Sequence, residues 1–144
     1  MDYEVNFPKS FAVRSLKIYQ LVKETIKPFQ YDVTLLLNCF LGSLSIVIPN
    51  NPVHNHHFLK NKDFTCFDYV SKIEVGENKS FPSFLYQLRN AMAHKTSCNL
   101  FTHSNKENLI EQITFVSREM TITLSVTEIE ILFEWVCSNV KDSE

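Results

Sequence analysis

Glycine is nearly absent from this sequence, with two residues in 144, and proline is limited to five. Few positions can take the left-handed backbone angles that tightly turned all-β folds use repeatedly, so helices are favoured. Two glycines also cannot build a phosphate-cradling loop, and there is neither a nucleophile elbow nor an H-E-x-x-H helix. Dinucleotide-dependent and NTP-hydrolysing enzymes are set aside on these grounds.

An excess of basic charge is missing too. Fourteen Lys and Arg face sixteen Asp and Glu, for a formal net charge of −2 and a pI of about 6.2. Without a global positive field, any nucleic-acid contact has to be local. The four cysteines, Cys39, Cys66, Cys98 and Cys137, form no C-x-x-C pair and share no tight spacing with histidine, so they read as buried free thiols in a reducing compartment. The start, Met-Asp-Tyr-Glu-Val, has neither the basic opening nor the apolar stretch of a secretory signal. The longest apolar run, residues 35–48, is broken by Asn38, Ser43 and Ser45 and is too short for a bilayer. A cytoplasmic protein with no membrane contact and no cofactor is the expectation.

What is present is a hydrophobic fraction of 44%, enough to enclose one core. One domain over residues 1–144 is expected. Along residues 10–27, Ala12, Leu16, Tyr19, Val22 and Ile26 recur at steps of three and four, an amphipathic helix closed by Lys27-Pro28. Residues 31–48 hold Val33, Leu36, Leu37, Phe40, Leu41, Leu44 and Ile48 with little polar surface, a helix buried on most sides, capped by Asp32 and stopped at Pro49. Residues 50–80 keep no period and read as a long connection with one short helix near 64–71. A third helix runs from Pro82 to His94 with a core stripe of Phe81, Phe84, Leu85, Leu88 and Met92.

Beyond a polar connection, Ile113 and Phe115, then Met120, Ile122 and Leu124, alternate with polar residues around Ser117-Arg118-Glu119, which predicts a β-hairpin with one packed face. Ser125-x-x-Glu128 is a capping-box pattern opening a last helix with Val126, Ile129, Leu132, Phe133, Val136 and Val140 at helical spacing. The fold class is mainly α, a bundle of about four main helices with a β-hairpin before the last.

The third helix carries the chemistry. With Leu88 at the centre of its core stripe, Arg89 lies roughly 100° away, Ala93 roughly 140°, Asn90 roughly 200° and His94 roughly 240°. These four residues cover the side turned from the core. Asn90 and His94, one turn apart, can address the same object, whereas Arg89 and His94 diverge by roughly 140° on one helix. Two copies crossing on a two-fold axis at small Ala93 would bring each Arg89 to the other chain's Asn90 and His94, so the geometry suggests a composite site at a dimer seam. An imidazole can take a proton from a ribose 2′-hydroxyl or return one to a leaving oxygen near neutral pH without a metal. A guanidinium offers fixed donors to the charge that builds on phosphorus oxygens, and Asn90 can orient the phosphate or the imidazole.

The stretch Leu88-Arg-Asn-Ala-Met-Ala-His94 resembles the R-x4-6-H signature of the HEPN superfamily, in its form with Asn directly after Arg. Arg89 and His94 match the ends of the signature and Asn90 its polar position, and the order of elements extends the likeness over most of residues 10–140. The arrangement is similar to small plasmid- and defence-associated bacterial HEPN ribonucleases. The resemblance implies a homodimeric, metal-independent endoribonuclease with Arg89, Asn90 and His94 as its catalytic set, leaving a 2′,3′-cyclic phosphate and a 5′-hydroxyl. It also implies a toxin or anti-phage role, under control of an antitoxin or other regulatory protein. Nucleotidyltransferase-controlled relatives often carry a tyrosine two residues after the histidine, where this chain has Thr96, so silencing by modification there is not available.

Several residues have plainer readings. Arg89 and His94 can be a solvated helix face with the arginine paired to an acidic neighbour. Lys95 can touch an RNA phosphate or serve solubility alone, and Tyr86 can stack on a base or pack at the seam. His54, His56 and His57 lack a carboxylate or cysteine at ligand spacing and are not assigned a metal, and His103 reads as a loop histidine. The alternative to an enzyme is a non-catalytic module of the same type that binds RNA, a nucleotide or a partner protein through this face. A structural bundle with a chance R-x4-H is the third reading.

Overall fold

The computed structural model describes residues 7–25, 32–48, 81–93, 100–103, 110–117 and 121–142. The elements are α1 (Phe7–Thr25), α2 (Asp32–Val47), α3 (Phe81–Ala93), β1 (Leu100–His103), β2 (Ile110–Val116), β3 (Thr121–Ser125) and α4 (Val126–Asp142). Four helices with an antiparallel hairpin before the last are thus observed among the described residues. The short helix expected near 64–71 lies outside them, as does Ile26.

Helix α1 begins three residues earlier than its apolar period does, because Pro8 is tolerated in a first turn, where its missing N–H has no intrahelical partner to lose. Ala12 and Tyr19 are buried and Leu16 packs against the core, as the stripe predicts. Helix α2 is the central element, with α1 against it on one side and α3 and α4 also in contact with it. This placement explains its apolar composition: Leu36, Phe40 and Leu44 are fully enclosed. Buried Ser43 is accommodated because its hydroxyl donates to the Cys39 carbonyl one turn back, at 2.8 Å. Gly42 lets α1 approach closely, since a Cβ there would stand 3.2 Å from the Phe11 ring.

The core joins all four helices. Phe133 of α4 stacks on Phe40 of α2 at 5.2 Å between centroids and on Tyr19 of α1 at 6.4 Å. Phe81 at the start of α3 meets the edge of Trp135 at 4.8 Å. Each fully buried aromatic of this kind contributes roughly 1.5–3 kcal/mol through burial alone. At the rim, Lys23 of α1 pairs with Glu130 of α4 at 2.7 Å.

The hairpin forms with Ile113 opposite Leu124 and Phe115 opposite Ile122, and all four side chains are buried. The outward face is polar, with Thr114 and Thr123 hydroxyls bonded across the strands at 2.8 Å. The sheet holds one strand more than the hairpin: β1 pairs antiparallel with β2, giving the order β1-β2-β3. His103 is therefore a strand residue, opposite Ile110 at an irregularity in the register, and not a loop histidine. Four residues bounded by polar sequence carry too little alternation to announce a strand. Their pairing comes from the ready edge of β2.

Ser125 ends β3 and caps α4. Its hydroxyl accepts from the Glu128 N–H at 3.0 Å, and the Glu128 carboxylate accepts from the Ser125 N–H at 3.2 Å. The reciprocal bonds supply partners to two amides at the start of the helix and place an anion at its positive end. No helix among the described residues is long and apolar enough to cross a membrane.

Candidate active site

Helix α3 meets the core through Phe81, Ser83, Phe84, Leu85, Leu88 and Ala91. Ala91, not Met92, completes the buried stripe, and Met92 is half-buried at its margin. In projection Ala91 lies roughly 60° to one side of Leu88 and Met92 roughly 40° to the other. The small residue is enclosed, while the longer methionine is left at the edge.

The two flanks of α3 are held by different elements. On one, Gln87 accepts a hydrogen bond from the Ser117 hydroxyl at 2.8 Å, which ties the end of β2 to the helix. On the other, Arg89 reaches the end of α2, where its Nη1 donates to the Ile48 carbonyl at 3.1 Å. The last carbonyls of a helix have no intrahelical donor, and Pro52, four residues beyond Ile48 in sequence, has no N–H to supply one. The guanidinium fills that need at the negative end of the helix dipole.

Arg89 is also fixed from within α3. Its Nη2 donates to Asn90 Oδ1 at 2.9 Å, and its guanidinium carbon stands 4.8 Å from the centroid of the Tyr86 ring. The fork thus bridges two helices and lies over an aromatic face, in a half-buried position. The bond also orients the amide: with Oδ1 turned to a donor-only group, the Asn90 Nδ2 is directed away from it. Arg89 and Asn90 together present donors, an arrangement suited to an anionic oxygen.

Ala93 is exposed at the end of α3 and itself presents only a methyl group there. His94 and Lys95 lie outside the described residues. The structure thus brings Tyr86, Arg89 and Asn90 together. Sequence reasoning missed the Ile48 carbonyl and the Gln87–Ser117 bond. Pro49 signalled that α2 would end with bare carbonyls, but not which donor would answer them.

The model of the family described as HEPN pEK499 p136 matches residues 1–139. The chain belongs to the HEPN superfamily. No curated protein and no solved structure matches it. HEPN membership gives the Arg89-Asn90 pair its context, because the family signature runs from this arginine to the histidine four residues beyond Asn90. Among the described residues of this HEPN domain, no three His, Cys, Asp or Glu are grouped to hold a metal, and His54, His56 and His57 lie outside them.

Cys137 of α4 is buried and donates through Sγ to the Ala12 carbonyl at 3.3 Å. Burial, with a lesser contribution from nearby Glu134, pushes its thiol up to about 12. Burial also raises Cys39. A nucleophilic thiolate is unfavourable at either position.

Proposed function

We propose that this HEPN chain, as one domain, is a metal-independent endoribonuclease acting as a homodimer. Arg89, Asn90 and His94 line a composite site where the two α3 helices meet. The observation that supports this reading most directly is the pre-set guanidinium of Arg89, held beside Asn90 on the signature helix.

In the reaction, an imidazole of His94 takes the 2′-hydroxyl proton, the oxygen attacks phosphorus, the bond from phosphorus to the 5′-oxygen breaks, and a His94 imidazolium gives that leaving oxygen its proton. The products are a 2′,3′-cyclic phosphate and a 5′-hydroxyl. Arg89 and the Asn90 amide donate to the phosphorus oxygens as charge builds there. A donor fixed before substrate arrives needs no reorganisation during the step, and one such donor is worth roughly 3–4 kcal/mol of barrier. Lys95 supplies an auxiliary phosphate contact. The cellular role is that of a cytoplasmic toxin or anti-phage effector under a regulatory protein.

The second reading is a non-catalytic HEPN module for RNA, a nucleotide or a partner protein. It is favoured by the engagement of Arg89 with the α2 terminus, which gives that residue a structural task, and by the net charge of −2.

The deciding experiment incubates wild type, His94→Ala and Arg89→Lys with total RNA in EDTA and maps the ends. Cleavage by wild type alone, with cyclic-phosphate ends, is expected. Cutting by both variants at the wild-type rate would refute the assignment, and intact RNA throughout, with retained binding, would favour the module.

A further inference from the structure

Tyr86 sits one helical turn before Asn90, and its ring could serve a nucleobase or a neighbour within the protein. Its observed neighbour is Arg89: the guanidinium carbon lies 4.8 Å from the ring centroid, within the range in which the ring quadrupole attracts a cation. The same guanidinium is bonded at Nη1 to the Ile48 carbonyl and at Nη2 to Asn90 Oδ1. These two bonds hold the fork at its nitrogens, and the ring that the guanidinium carbon lies over adds a contact that neither bond supplies.

We infer that Tyr86 is a positioning residue, whose ring and the Ile48 carbonyl form a socket that holds Arg89 ready for the scissile phosphate. The inference rests on the nuclease reading above. Tyr86 then acts on every substrate alike, because it works through Arg89 and not through a base. The socket needs an aromatic face and not the hydroxyl, so Tyr86→Phe retains it and Tyr86→Leu removes it.

The test has two independent readouts. In single-turnover cleavage of RNAs that differ in the bases around the cut, Tyr86→Phe is expected within about twofold of wild type. Tyr86→Leu is expected to be slower by about three- to tenfold, by the same factor on each RNA, with a smaller change in RNA affinity. A rate loss that varies with the base, or a Tyr86→Phe defect as large as that of Tyr86→Leu, would overturn the assignment. Separately, the side-chain N–H resonances of Arg89 should be shifted by the ring current in wild type and in Tyr86→Phe, and lose that shift in Tyr86→Leu. Unshifted resonances in wild type would refute the socket whatever the protein does to RNA. Shifted resonances with RNA left intact would instead refute the nuclease reading and the catalytic purpose of the socket with it.

Discussion

The guanidinium of Arg89 on α3 donates to the carbonyl of Ile48 at the end of α2, 3.1 Å away, across 41 residues of sequence. A residue singled out for catalysis is therefore also a cap for another helix. Substitutions at this position must be read for folding and for activity together.

Arg89→Ala removes the donor and leaves the carbonyl without that partner, at a cost of about 1–3 kcal/mol. Arg89→Lys keeps the charge but not the planar fork, so it should recover part of that stability while cleavage stays at least about tenfold low. Urea midpoints measured beside cleavage rates separate the two effects. Equal recovery of both in the lysine variant would argue that Arg89 acts as charge alone.

At the start of α4, Ser125→Ala should lower stability by about 1 kcal/mol through loss of the bond to the Glu128 N–H. Glu128→Ala removes the reciprocal bond, and the double variant should lose less than the sum of the singles, because the two bonds support one turn. Strict additivity in denaturant melts would contradict the coupling.

Cys137 predicts an alkaline weakness. Its thiol is held at about 12 in the fold against an ordinary 9.0, so the folded state retains a proton that the unfolded chain gives up. Its contribution is fully present below pH 9 and is lost as pH rises from 9 towards 12, with a slope approaching 1.4 kcal/mol per pH unit for one proton. Stability measured over that range should fall less steeply in Cys137→Ala than in wild type. Parallel slopes would refute the assignment. Native thiol labelling at pH 8 should spare Cys137 until the protein is unfolded.

Phe133 contacts aromatic rings from two other helices. Phe133→Ala should cost about 3–5 kcal/mol, a large share of a small domain's stability, and Phe133→Leu distinctly less. Thermal melts by circular dichroism rank the two, and a melting temperature unchanged in the alanine variant would remove Phe133 from the centre of the core.

Local chemistry in the chain determined the helices, the hairpin and the cap. Apolar steps of three and four, alternation over 113–124, Pro49 and Ser125-x-x-Glu128 each act over a few residues, and each is realised in place. The R-x4-H spacing pointed to the HEPN superfamily for the same reason: it is confined to six consecutive residues. The tertiary structure alone decided three things. It added β1, whose pairing depends on a partner strand with its own sequence in between. It chose Ala91 over Met92 for the core, because both lie close to Leu88 in projection and only the packing of neighbouring elements decides between them. It turned Arg89 towards Ile48 and Tyr86, since a side chain's direction is set by the donors, acceptors and ring faces that folding brings within reach.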